Sequence, residues 1–512
     1  MPRYQPCERR RPGADARSKY YGYNDDRPNL VPLPPPAVFN VEATKTEPDK
    51  NTYLVLRGQR GADPHYDYGT HFIFQGHENG PGNPKKSYIT RINLDADVAH
   101  RVTLLATTDV NGVPLPPFDG STWYPWAQRL LFTAENGNAG GVWQATLDVP
   151  SRVEDISGVL GRGGYEGIQA DSAGNLWIVE DVGGRFGTVN KNARQPNSFV
   201  YRFIPYDKQD LKAGGKLQVL AVKSKAHAGA IVFNNASADV DILSADVRDV
   251  HTYGLVFDTR WITIHDTATQ GNTPFDANAL AKGVGTPFKR PENGMFRPGT
   301  HFREFYFTET ADTSALTEAG RDFGGFGGIF KLSQHHPSDV NGVLTLFYLG
   351  DLDHTSFDNL AFLTEDWLVA VEDRGDSLHT QHNALDSAFV FNARTDYSNP
   401  AHQPIRMLAQ GRDASAAIDS SLLGTSGFQN DGDNEITGIH VSDGDPTPNG
   451  ILGAKKPRPF GGKWRIFYTQ QHGDNVTYEI ILNSVAVAND NRDDDDHDDD
   501  DHDGDHRGSR RN

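Results

Sequence analysis

One short pattern recurs six times in this 512-residue chain: an apolar strand ends in an acid or an amide and runs into turn residues. The copies are FIFQGHENG, LLFTAENG, LWIVEDVGG, FYFTETAD, LVAVEDRGD and IFYTQQHGD, which end near Glu78, Glu135, Glu180, Glu309, Glu372 and Gln471. Apolar strands bounded by Gly, Asn and Asp are typical of β-hairpins. Helical periodicity is scarce outside 275–282 and 414–423. The pattern therefore predicts an all-β chain.

The uneven spacing of the copies predicts a repeat architecture with inserted loops. A four-stranded repeat needs about 40–45 residues, and the longer intervals leave room for insertions at 225–287 and between about 378 and 430. A hairpin unit cannot bury both of its faces alone, so six copies favour a six-bladed β-propeller whose inner strands line a channel. The alternative is a β-sandwich with coincidentally acidic turns.

Composition divides the chain into three parts. We expect residues 1–50 to be a proline-rich N-terminal extension, 51–487 to be the β-propeller and 488–512 to be a disordered tail rich in Asp and His. The net charge is −19, and the residues from 490 onward contribute −7 of it, with eleven Asp against four Arg. An acidic body argues against a nucleic-acid-binding surface.

Cysteine content and the lack of long apolar runs narrow the possibilities further. Cys7 is the only cysteine, which excludes an intramolecular disulfide and a thiolate metal cluster. No apolar run approaches the roughly 18 residues needed to span a bilayer, so we expect no membrane insertion. No apolar segment follows Arg9-Arg10-Arg11, so no export signal is recognisable there.

In three hairpins, an acid that begins one strand is matched by an acid that ends its partner. These pairs are Glu166 with Glu180, Glu292 with Glu309, and Asp358 with Glu372. Directly opposed hairpin residues have Cβ atoms about 4.5–5.5 Å apart. Two carboxylates at this short distance repel each other unless a cation lies between them. We therefore expect bound cations, although each acid could instead cap a turn or face solvent.

Closure of a propeller would bring acids from different copies together at one end of the channel. Several oxygen ligands suit Ca²⁺. The expected metal ligands are Glu78, Glu135, Glu166, Glu180, Glu292, Glu309, Asp358 and Glu435.

Arg290 and His472 are the candidate catalytic residues. A guanidinium is a fixed fork for phosphate or carboxylate, and it can stabilise charge on a transferring phosphoryl group. Arg290 could equally neutralise Glu292. His472 ends the last copy and could serve as a ligand or an acid. The sequence contains no Walker-type loop and no dinucleotide-binding fingerprint.

These motifs resemble the PhoX family of bacterial alkaline phosphatases, whose fold is a six-bladed propeller. The likeness runs from about residue 65 to 475 and rests on His77-Glu78-Asn79, Gly164-Tyr165-Glu166-Gly167 with Glu180-Asp181, Arg290-Pro291-Glu292, Phe357-Asp358-Asn359-Leu360-Ala361-Phe362, Glu435-Ile436-Thr437-Gly438 and Gln471-His472-Gly473. By this resemblance, the Arg of Arg-Pro-Glu contacts the substrate phosphate and the Glu is an iron ligand. The family hydrolyses phosphomonoesters with two ferric ions and several Ca²⁺.

One motif departs from the family. Its second-blade motif is Thr-Cys-Glu, in which the cysteine is an iron ligand, whereas this chain has Thr133-Ala134-Glu135. Alanine supplies no ligand, so the resemblance implies Ca²⁺ and leaves Fe³⁺ open. The family is commonly exported through the twin-arginine pathway, so the resemblance also implies a periplasmic or secreted protein.

We expect a metal-dependent enzyme that cleaves phosphomonoesters at a carboxylate-held calcium site in the channel, with Arg290 binding phosphate. A calcium-dependent esterase or lactonase-like propeller is one alternative. A metal-binding propeller without catalytic activity is another. The expected partners are a small-molecule phosphoester and divalent cations, and the expected state is a monomer.

Overall fold

The computed structural model describes residues 47–61, 63, 65–78, 87–97, 100–382, 384–410, 435–471 and 476–482, together with three two-residue strands nearer the N-terminus. Those three strands are β1 (Arg3–Tyr4), β2 (Tyr23–Asn24) and β3 (Arg27–Pro28). The described chain consists mainly of strands joined by turns, so the predicted all-β class is confirmed. His472, the segment 414–423 and the tail 488–512 lie outside the described residues.

Two four-stranded antiparallel sheets come first. The first contains β4 (Pro48–Val55), β5 (His71–His77), β6 (Ile89–Asn93) and β7 (Val102–Ala106). The second contains β8 (Ser121–Tyr124), β9 (Arg129–Ala134), β10 (Gly141–Ala145) and β11 (Val153–Asp155). Strands that are consecutive in the chain pair with each other, so each sheet is a β-meander.

A nine-stranded antiparallel sheet follows, and it consists of two meanders joined edge to edge. One meander contains β12 (Tyr165–Ala170), β13 (Leu176–Glu180), β14 (Val200–Pro205) and β15 (Gly215–Val222). The joining strand is β16 (Val256–Asp266). The other meander contains β17 (Gly294–Phe296), β18 (Glu304–Glu309), β19 (Gly328–Ser333) and β20 (Asn341–Leu349). Because β16 pairs with both β15 and β20, it connects the outer edges of the two meanders.

Two further four-stranded antiparallel sheets follow, and β2 and β3 pair with each other in a separate two-stranded sheet. One contains β21 (Phe357–Phe362), β22 (Trp367–Glu372), β23 (Asp386–Asn392) and β24 (Ile405–Gln410). The other contains β25 (Ile436–Ser442), β26 (Arg465–Gln470) and β27 (Val476–Ile480), with β1 paired to β27. The six repeated sequence copies therefore form β5, β9, β13, β18, β22 and β26, each the second strand of its meander.

The helices of the described chain are short. They are α1 (Ser157–Leu160), α2 (Ala238–Ile242), α3 (Ala245–Val250), α4 (Thr267–Gln270), α5 (Ala277–Ala281) and α6 (Gly375–His382). Helices α2 to α5, with β16, occupy the segment 225–287, where the sequence predicts an insertion. In the described residues, no helix has the length and apolar character that crossing a membrane requires.

The first strands of the meanders contact one another in a closed ring. Strand β4 contacts β8, followed in turn by β12, β17, β21 and β25, and β25 contacts β4 again. The approach is close: a Cβ on Gly120 would meet the backbone of Glu166, and a Cβ on Gly167 would meet Asn293. The ring therefore places side by side residues that are hundreds of positions apart in the sequence.

Aromatic side chains fill the space between neighbouring meanders and fix the inner strands. Trp177 of β13 is 1% exposed. Its ring centroid lies 5.0 Å from those of Phe296 and Phe305, on the next meander, and 5.1 Å from that of Trp261. Burial of a Phe side chain stabilises the fold by roughly 1.5–3 kcal/mol, so this cluster holds β13 against β17 and β18.

A one-residue β-bulge lies near the start of several first strands. In β12, Tyr165 pairs with Glu180 but Ile168 pairs with Ile178, so β12 has one residue more than β13 over this stretch. The same shift occurs in β4 at 48–51, in β21 at 357–360 and in β25 at 437–440. A bulge leaves its extra residue outside the ladder and redirects side chains at that point.

The bulge changes which acids face each other. The predictions that Glu166 lies opposite Glu180 and that Asp358 lies opposite Glu372 are both wrong. In each hairpin, the residue before the first-strand acid takes the opposed place. The first-strand acid is thereby left outside the hairpin pairing and lies at the ring of first strands.

Candidate metal centre

Seven carboxylates form two clusters at the N-terminal ends of the first strands. The four-acid cluster consists of Glu135, Glu166, Asp181 and Glu292. The three-acid cluster consists of Asp49, Glu78 and Asp119. Within each cluster, every residue has a carboxylate oxygen within 4.8 Å of an oxygen from each other member. This spacing is short enough for one cation to contact several oxygens.

The acids come from two equivalent positions of the meanders. One position lies at the beginning of the first strand and is occupied by Asp49, Asp119, Glu166, Glu292, Asp358 and Glu435. The other directly follows the second strand and is occupied by Glu78, Glu135, Asp181, Thr310, Asp373 and Gln471. The site is thus built from one repeated hairpin geometry rather than from unrelated loops.

Asp358, Asp373 and Glu435 extend the three-acid cluster. Burial and the charge of Asp49 raise the pKa of Asp358 to about 8. Burial, followed by the charges of Asp373 and Asp358, raises the pKa of Glu435 well above its ordinary value. Together with the seven clustered acids, these three residues form what we call the carboxylate array.

The four-acid cluster has the same electrostatic character. Burial and the charge of Asp181 raise the pKa of Glu135 to about 8. Burial, Asp119 and Glu292 raise the pKa of Glu166 well above its ordinary value. Buried carboxylates at this spacing favour protonation unless a cation compensates their charge, so the array is suited to cation binding.

Several oxygens of the array are buried and make no hydrogen bond to the described residues. They are Oδ1 of Asp119, Oε2 of Glu166 and Oδ2 of Asp358, on residues that are 5%, 1% and 4% exposed. Buried polar atoms in proteins are nearly always hydrogen-bonded, and an uncompensated buried carboxylate is costly. These oxygens fit the role of metal ligands, because a cation would satisfy them.

Arg290 lies at the edge of the four-acid cluster and is oriented by it. Its Nε is 3.0 Å from both carboxylate oxygens of Asp181, and its Nη2 is 2.7 Å from Oδ2. Nη2 is also 3.3 Å from Oε1 of Glu292. Burial alone would lower the pKa of Arg290, but Asp181 and Glu292 hold it well above its ordinary value. The guanidinium is therefore a fixed positive charge.

The backbone of Arg290 is held in the left-handed region, with φ of 57°. Glu47 and Ser356, which precede Asp49 and Asp358 by the same two residues, have φ of 48° and 51°. Non-glycine residues in this region are strained and cluster at functional sites. The same backbone conformation thus recurs two residues before the first-strand acid in three meanders, and in one of them the residue is an arginine.

Arg194 is a second cation beside this group. Its Cζ lies 4.1 Å from the ring centroid of Phe186, and its Nε is buried without a hydrogen-bond partner among the described residues. Burial and the nearby charge of Arg290 lower the pKa of Arg194. Two neighbouring guanidinium groups make this side of the centre attractive to an anion.

The structure places Glu180 and Glu309 outside both clusters. Glu180 accepts hydrogen bonds from the Phe199 amide at 3.2 Å, and from Tyr201 Oη and Asn278 Nδ2 at 2.9 Å. Glu180 and Glu309 are each the last residue of a second strand, one position before the repeated position that Asp181 and Thr310 occupy. Successive strand residues point to opposite faces, so the side chains of Glu180 and Glu309 point to the other face.

Glu309 is likewise engaged outside both clusters. Its Oε2 lies 2.9 Å from Nε2 of His251, and its Oε1 accepts a hydrogen bond from the Lys289 amide at 2.8 Å. Both carboxylate oxygens of this side chain therefore have partners that hold the loops around β18.

Of the predicted ligands, the structure brings six into the array: Glu78, Glu135, Glu166, Glu292, Asp358 and Glu435. Sequence reasoning missed Asp49, Asp119, Asp181 and Asp373, and also Arg194. Asp181 and Asp373 had a readable signal, since each follows a Glu that ends a repeated strand. Alignment of the copies by strand end rather than by acid would have selected them. The candidate His472 lies outside the described residues.

Comparison with known proteins adds a family assignment. The model of the family described as alkaline phosphatase PhoX matches residues 185–445, just over half of the chain. The matched segment includes Arg290, Glu292, Asp358 and Glu435. No curated protein sequence matches the chain.

Similar solved structures include two distant ones. Hydrazine synthase of Kuenenia stuttgartiensis has a TM-score of 0.35 and 10% identity, over 86% of this chain and 97% of that chain. The periplasmic gluconolactonase PpgL of Pseudomonas aeruginosa has a TM-score of 0.30 and 11% identity, over 70% of this chain and 84% of that chain. At these TM-scores, neither structure informs on this one. The family match is of a different order, and this chain belongs to the PhoX alkaline phosphatase family.

Proposed function

We propose that the protein is a calcium-dependent phosphomonoesterase built on a six-bladed β-propeller. The blade count is supported by the closed ring of first strands and by the division of the nine-stranded sheet at β16 into two meanders. In this arrangement each meander is one blade, and the first strands line the channel. The observation that carries the proposal is the carboxylate array beside Arg290 at one end of that ring.

The residues of the array fit Ca²⁺ in number and in donor type. Ca²⁺ takes six to eight oxygen ligands at about 2.3–2.6 Å. The proposed ligands are the acids at the two repeated positions, including Asp49, Asp119 and Asp181, and excluding Glu180 and Glu309, which lie outside both clusters. Bound Ca²⁺ would supply Lewis acidity toward a phosphoryl oxygen.

The same residues do not favour an iron pair. Ala134 occupies the position of the cysteine that the family uses as an iron ligand, and its side chain packs in a hydrophobic cluster with Phe118 and Phe132. The thiolate ligand of the family's iron site is therefore missing, and the donors that remain in the array are carboxylate oxygens, which suit Ca²⁺ and Mg²⁺. We therefore propose calcium without iron for this chain.

Arg290 is the proposed phosphate-binding residue. Nε and Nη2 of the guanidinium donate to Asp181, and Nη1 donates no hydrogen bond to the described residues. The free edge of the group can therefore donate to a phosphate oxygen, with Arg194 nearby as a second positive charge. A preorganised guanidinium stabilises charge as it develops on the transferring phosphoryl group.

The proposal is tested by metal analysis together with substrate turnover. We expect purified protein to contain calcium at several ions per chain and no stoichiometric iron, and to hydrolyse p-nitrophenyl phosphate. EDTA should abolish turnover, and added Ca²⁺ should restore it. Activity that depends on iron would overturn the choice of metal, and calcium-loaded protein without phosphatase activity would overturn the reaction.

A second candidate is a calcium-dependent esterase or lactonase, in which a carboxylate-held Ca²⁺ would polarise the substrate carbonyl. Parallel assays with p-nitrophenyl acetate and a small lactone distinguish it. Turnover of these substrates without phosphate release would support this alternative. Calcium-loaded protein that turns over none of the three substrates would instead support a metal-binding module without catalytic activity. PhoX proteins are generally exported, and we propose the same for this chain.

A further inference from the structure

Arg194 has a guanidinium with no ion pair among the described residues. Its neighbour Arg290 donates to Asp181 and also lies 3.3 Å from Glu292. Arg194 instead packs on an aromatic ring, with Cζ 4.1 Å from the ring centroid of Phe186, and its buried Nε donates to none of the described residues. An arginine side chain is a donor only and stays protonated in proteins. The guanidinium of Arg194 is therefore available to a bound anion.

The Arg194 side chain lies close to the segment that orients Arg290. A Cβ on Gly183 would lie 2.7 Å from Nη1 of Arg194 and 3.6 Å from its Cζ. Gly183 follows Asp181 by two residues, and the carboxylate of Asp181 is the one that Arg290 donates to. The two guanidinium groups are thus held on the same side of the centre.

The loop 183–195, which carries Arg194, is fastened by carboxylates through its backbone. Asp239 of α2 accepts hydrogen bonds from the amides at positions 188 and 190, each at 2.9 Å. Glu318 accepts from the amide at position 192 at 2.9 Å, and Asp312 accepts from the Arg194 amide at 3.0 Å. These three acids hold the backbone and not the guanidinium. A binding group on a fixed backbone loses little conformational freedom when its ligand binds.

The centre becomes more exposed from the carboxylate array outward. Glu166 and Glu292 are 1% and 5% exposed, whereas Phe186 is 49% exposed. Burial lowers the pKa of Arg194, and Asp181 is the member of the four-acid cluster whose charge opposes this effect. Arg194 therefore lies at the outer edge of that cluster. A phosphate that reaches the buried oxygens of the array must direct the organic group of its ester toward solvent, past Arg194 and Phe186.

We propose that Arg194 binds a second anionic group on the organic part of the substrate, so that the enzyme favours phosphomonoesters whose leaving group carries a carboxylate or a further phosphate. Phe186 is a positioning residue, because it holds the guanidinium that contacts the substrate. The inference rests on the proposed phosphomonoesterase function and names its substrate class. Hydrogen bonds between a guanidinium and an anion are strong and directional, so one such contact can distinguish two esters.

The test uses two substrates that differ by one carboxylate, phenyl phosphate and 4-carboxyphenyl phosphate, with wild type and Arg194→Met. Phosphate release by the Ca²⁺-loaded protein gives kcat and KM for each. We expect Arg194→Met to lower kcat/KM for 4-carboxyphenyl phosphate about tenfold more than for phenyl phosphate, the usual size of a lost hydrogen bond to a charged group. The difference should lie in KM, because the contact is away from the phosphorus atom and is made equally in the ground state and the transition state.

Arg185→Met is the matched control, since it removes the same charge from the same loop. The Arg185 guanidinium donates to the carbonyls of Asn235 at 2.5 Å and Ala236 at 2.8 Å, in the insertion and not at the array. We expect this variant to change kcat/KM for the two substrates by the same factor. Phe186→Leu keeps the charge of Arg194 and removes the ring that it packs on. It should raise KM for 4-carboxyphenyl phosphate by a smaller factor than Arg194→Met does, with kcat unchanged.

An equal loss for both substrates in Arg194→Met would overturn the inference, because the carboxylate is the group in which the two esters differ. A loss confined to 4-carboxyphenyl phosphate in Arg185→Met would also overturn it, since a general change in charge would then explain the effect.

Calcium-loaded wild type that releases phosphate from neither ester refutes the proposed function by itself. The inference is then decided by isothermal titration calorimetry of the Ca²⁺-loaded protein with 4-carboxyphenyl phosphate. A Kd about tenfold lower for wild type than for Arg194→Met would support the inference. Equal Kd values, or no binding by wild type, would overturn it.

Discussion

Single residues in the centre are distinguished by small differences in position. Arg290 and Arg297 lie on the same hairpin, and each pairs with two acids. Arg290 lies at the open end, beside the array, and Arg297 lies next to the turn. The pairing of an arginine with acids therefore does not define its role; the end of the hairpin on which it lies does.

The first prediction concerns this arginine pair. Lys cannot reproduce the planar fork of a guanidinium, so Arg290→Lys should lower kcat/KM for p-nitrophenyl phosphate by on the order of 10²–10³-fold. The bound Ca²⁺ should stay at the wild-type level, which separates loss of phosphate binding from loss of metal. Arg297→Lys is the matched control and should leave kcat/KM essentially unchanged. Full activity of Arg290→Lys would remove Arg290 from its proposed role.

The second prediction distinguishes two glutamates of one hairpin. Glu166→Gln removes a charge from the four-acid cluster and should weaken Ca²⁺ binding by about tenfold or more, since a lost ligand charge costs at least about 1.4 kcal/mol. Glu180→Gln should keep the Ca²⁺ affinity of wild type but lower Tm. The reason is that a neutral amide oxygen accepts hydrogen bonds from the three donors around Glu180 less strongly than a carboxylate does. Isothermal titration calorimetry and thermal unfolding measure the two effects. A weaker Ca²⁺ affinity in Glu180→Gln would return that residue to the ligand set.

At the scale of elements, a bulged first strand recurs in several meanders and directs its acid toward the site. The bulge in β25 includes Gly438, which has φ of 62°, and a Cβ there would lie 2.5 Å from the carbonyl oxygen of Asp49. The close approach of β25 to β4 is therefore possible because this residue has no side chain. It also positions the backbone that carries Asp49.

The third prediction tests that approach. Gly438→Ala should destabilise the protein by about 1–3 kcal/mol more than Gly462→Ala, because only the first substitution forces a new methyl group into packed backbone. Gly462 has a similar φ of 66°, and a methyl group added there would meet nothing within 4 Å, so it reports the conformational penalty alone. Chemical denaturation gives both free energies of unfolding. Equal losses would show that the strands can separate without cost.

At the scale of the whole molecule, closure of the ring collects the carboxylates, and we expect stability to depend on cations for that reason. The pKa of Glu135 and that of Asp358 are both raised to about 8 by burial and by neighbouring acids, Asp181 and Asp49 respectively. The ordinary values are 4.5 and 3.8. The metal-free folded state therefore holds protons that the unfolded chain has already released.

The fourth prediction follows from the sign of this linkage. Between roughly pH 4 and pH 8 the folded state binds more protons than the unfolded chain, so the free energy of unfolding falls as pH rises. In EDTA, Tm should drop steadily from pH 5 to pH 8. In saturating Ca²⁺ the drop should largely disappear, because ligand that binds only the folded state stabilises it. The same slope in both buffers would contradict a cation-dependent array.

Local sequence patterns were sufficient to predict the strands and much of the centre. The six repeated strands and the insertion at 225–287 are present as expected. Arg290 and Glu292 also lie together as the sequence suggested. These features depend on residues close in sequence, namely apolar runs, turn residues and a short motif.

The sequence by itself determined the all-β class, the repeated hairpin and the supply of acids at its open end. Only the tertiary structure decided which acids meet. Successive side chains of a strand point to opposite faces. One bulged residue therefore places Glu166 in the array, and on the partner strand the array takes Asp181 instead of the preceding Glu180. Ring closure brings Asp49 and Lys50 against β21 and β25, more than 300 residues away. Neither the bulge nor the ring closure can be predicted from the neighbouring residues in the sequence, because both arise from packing of one meander on the next.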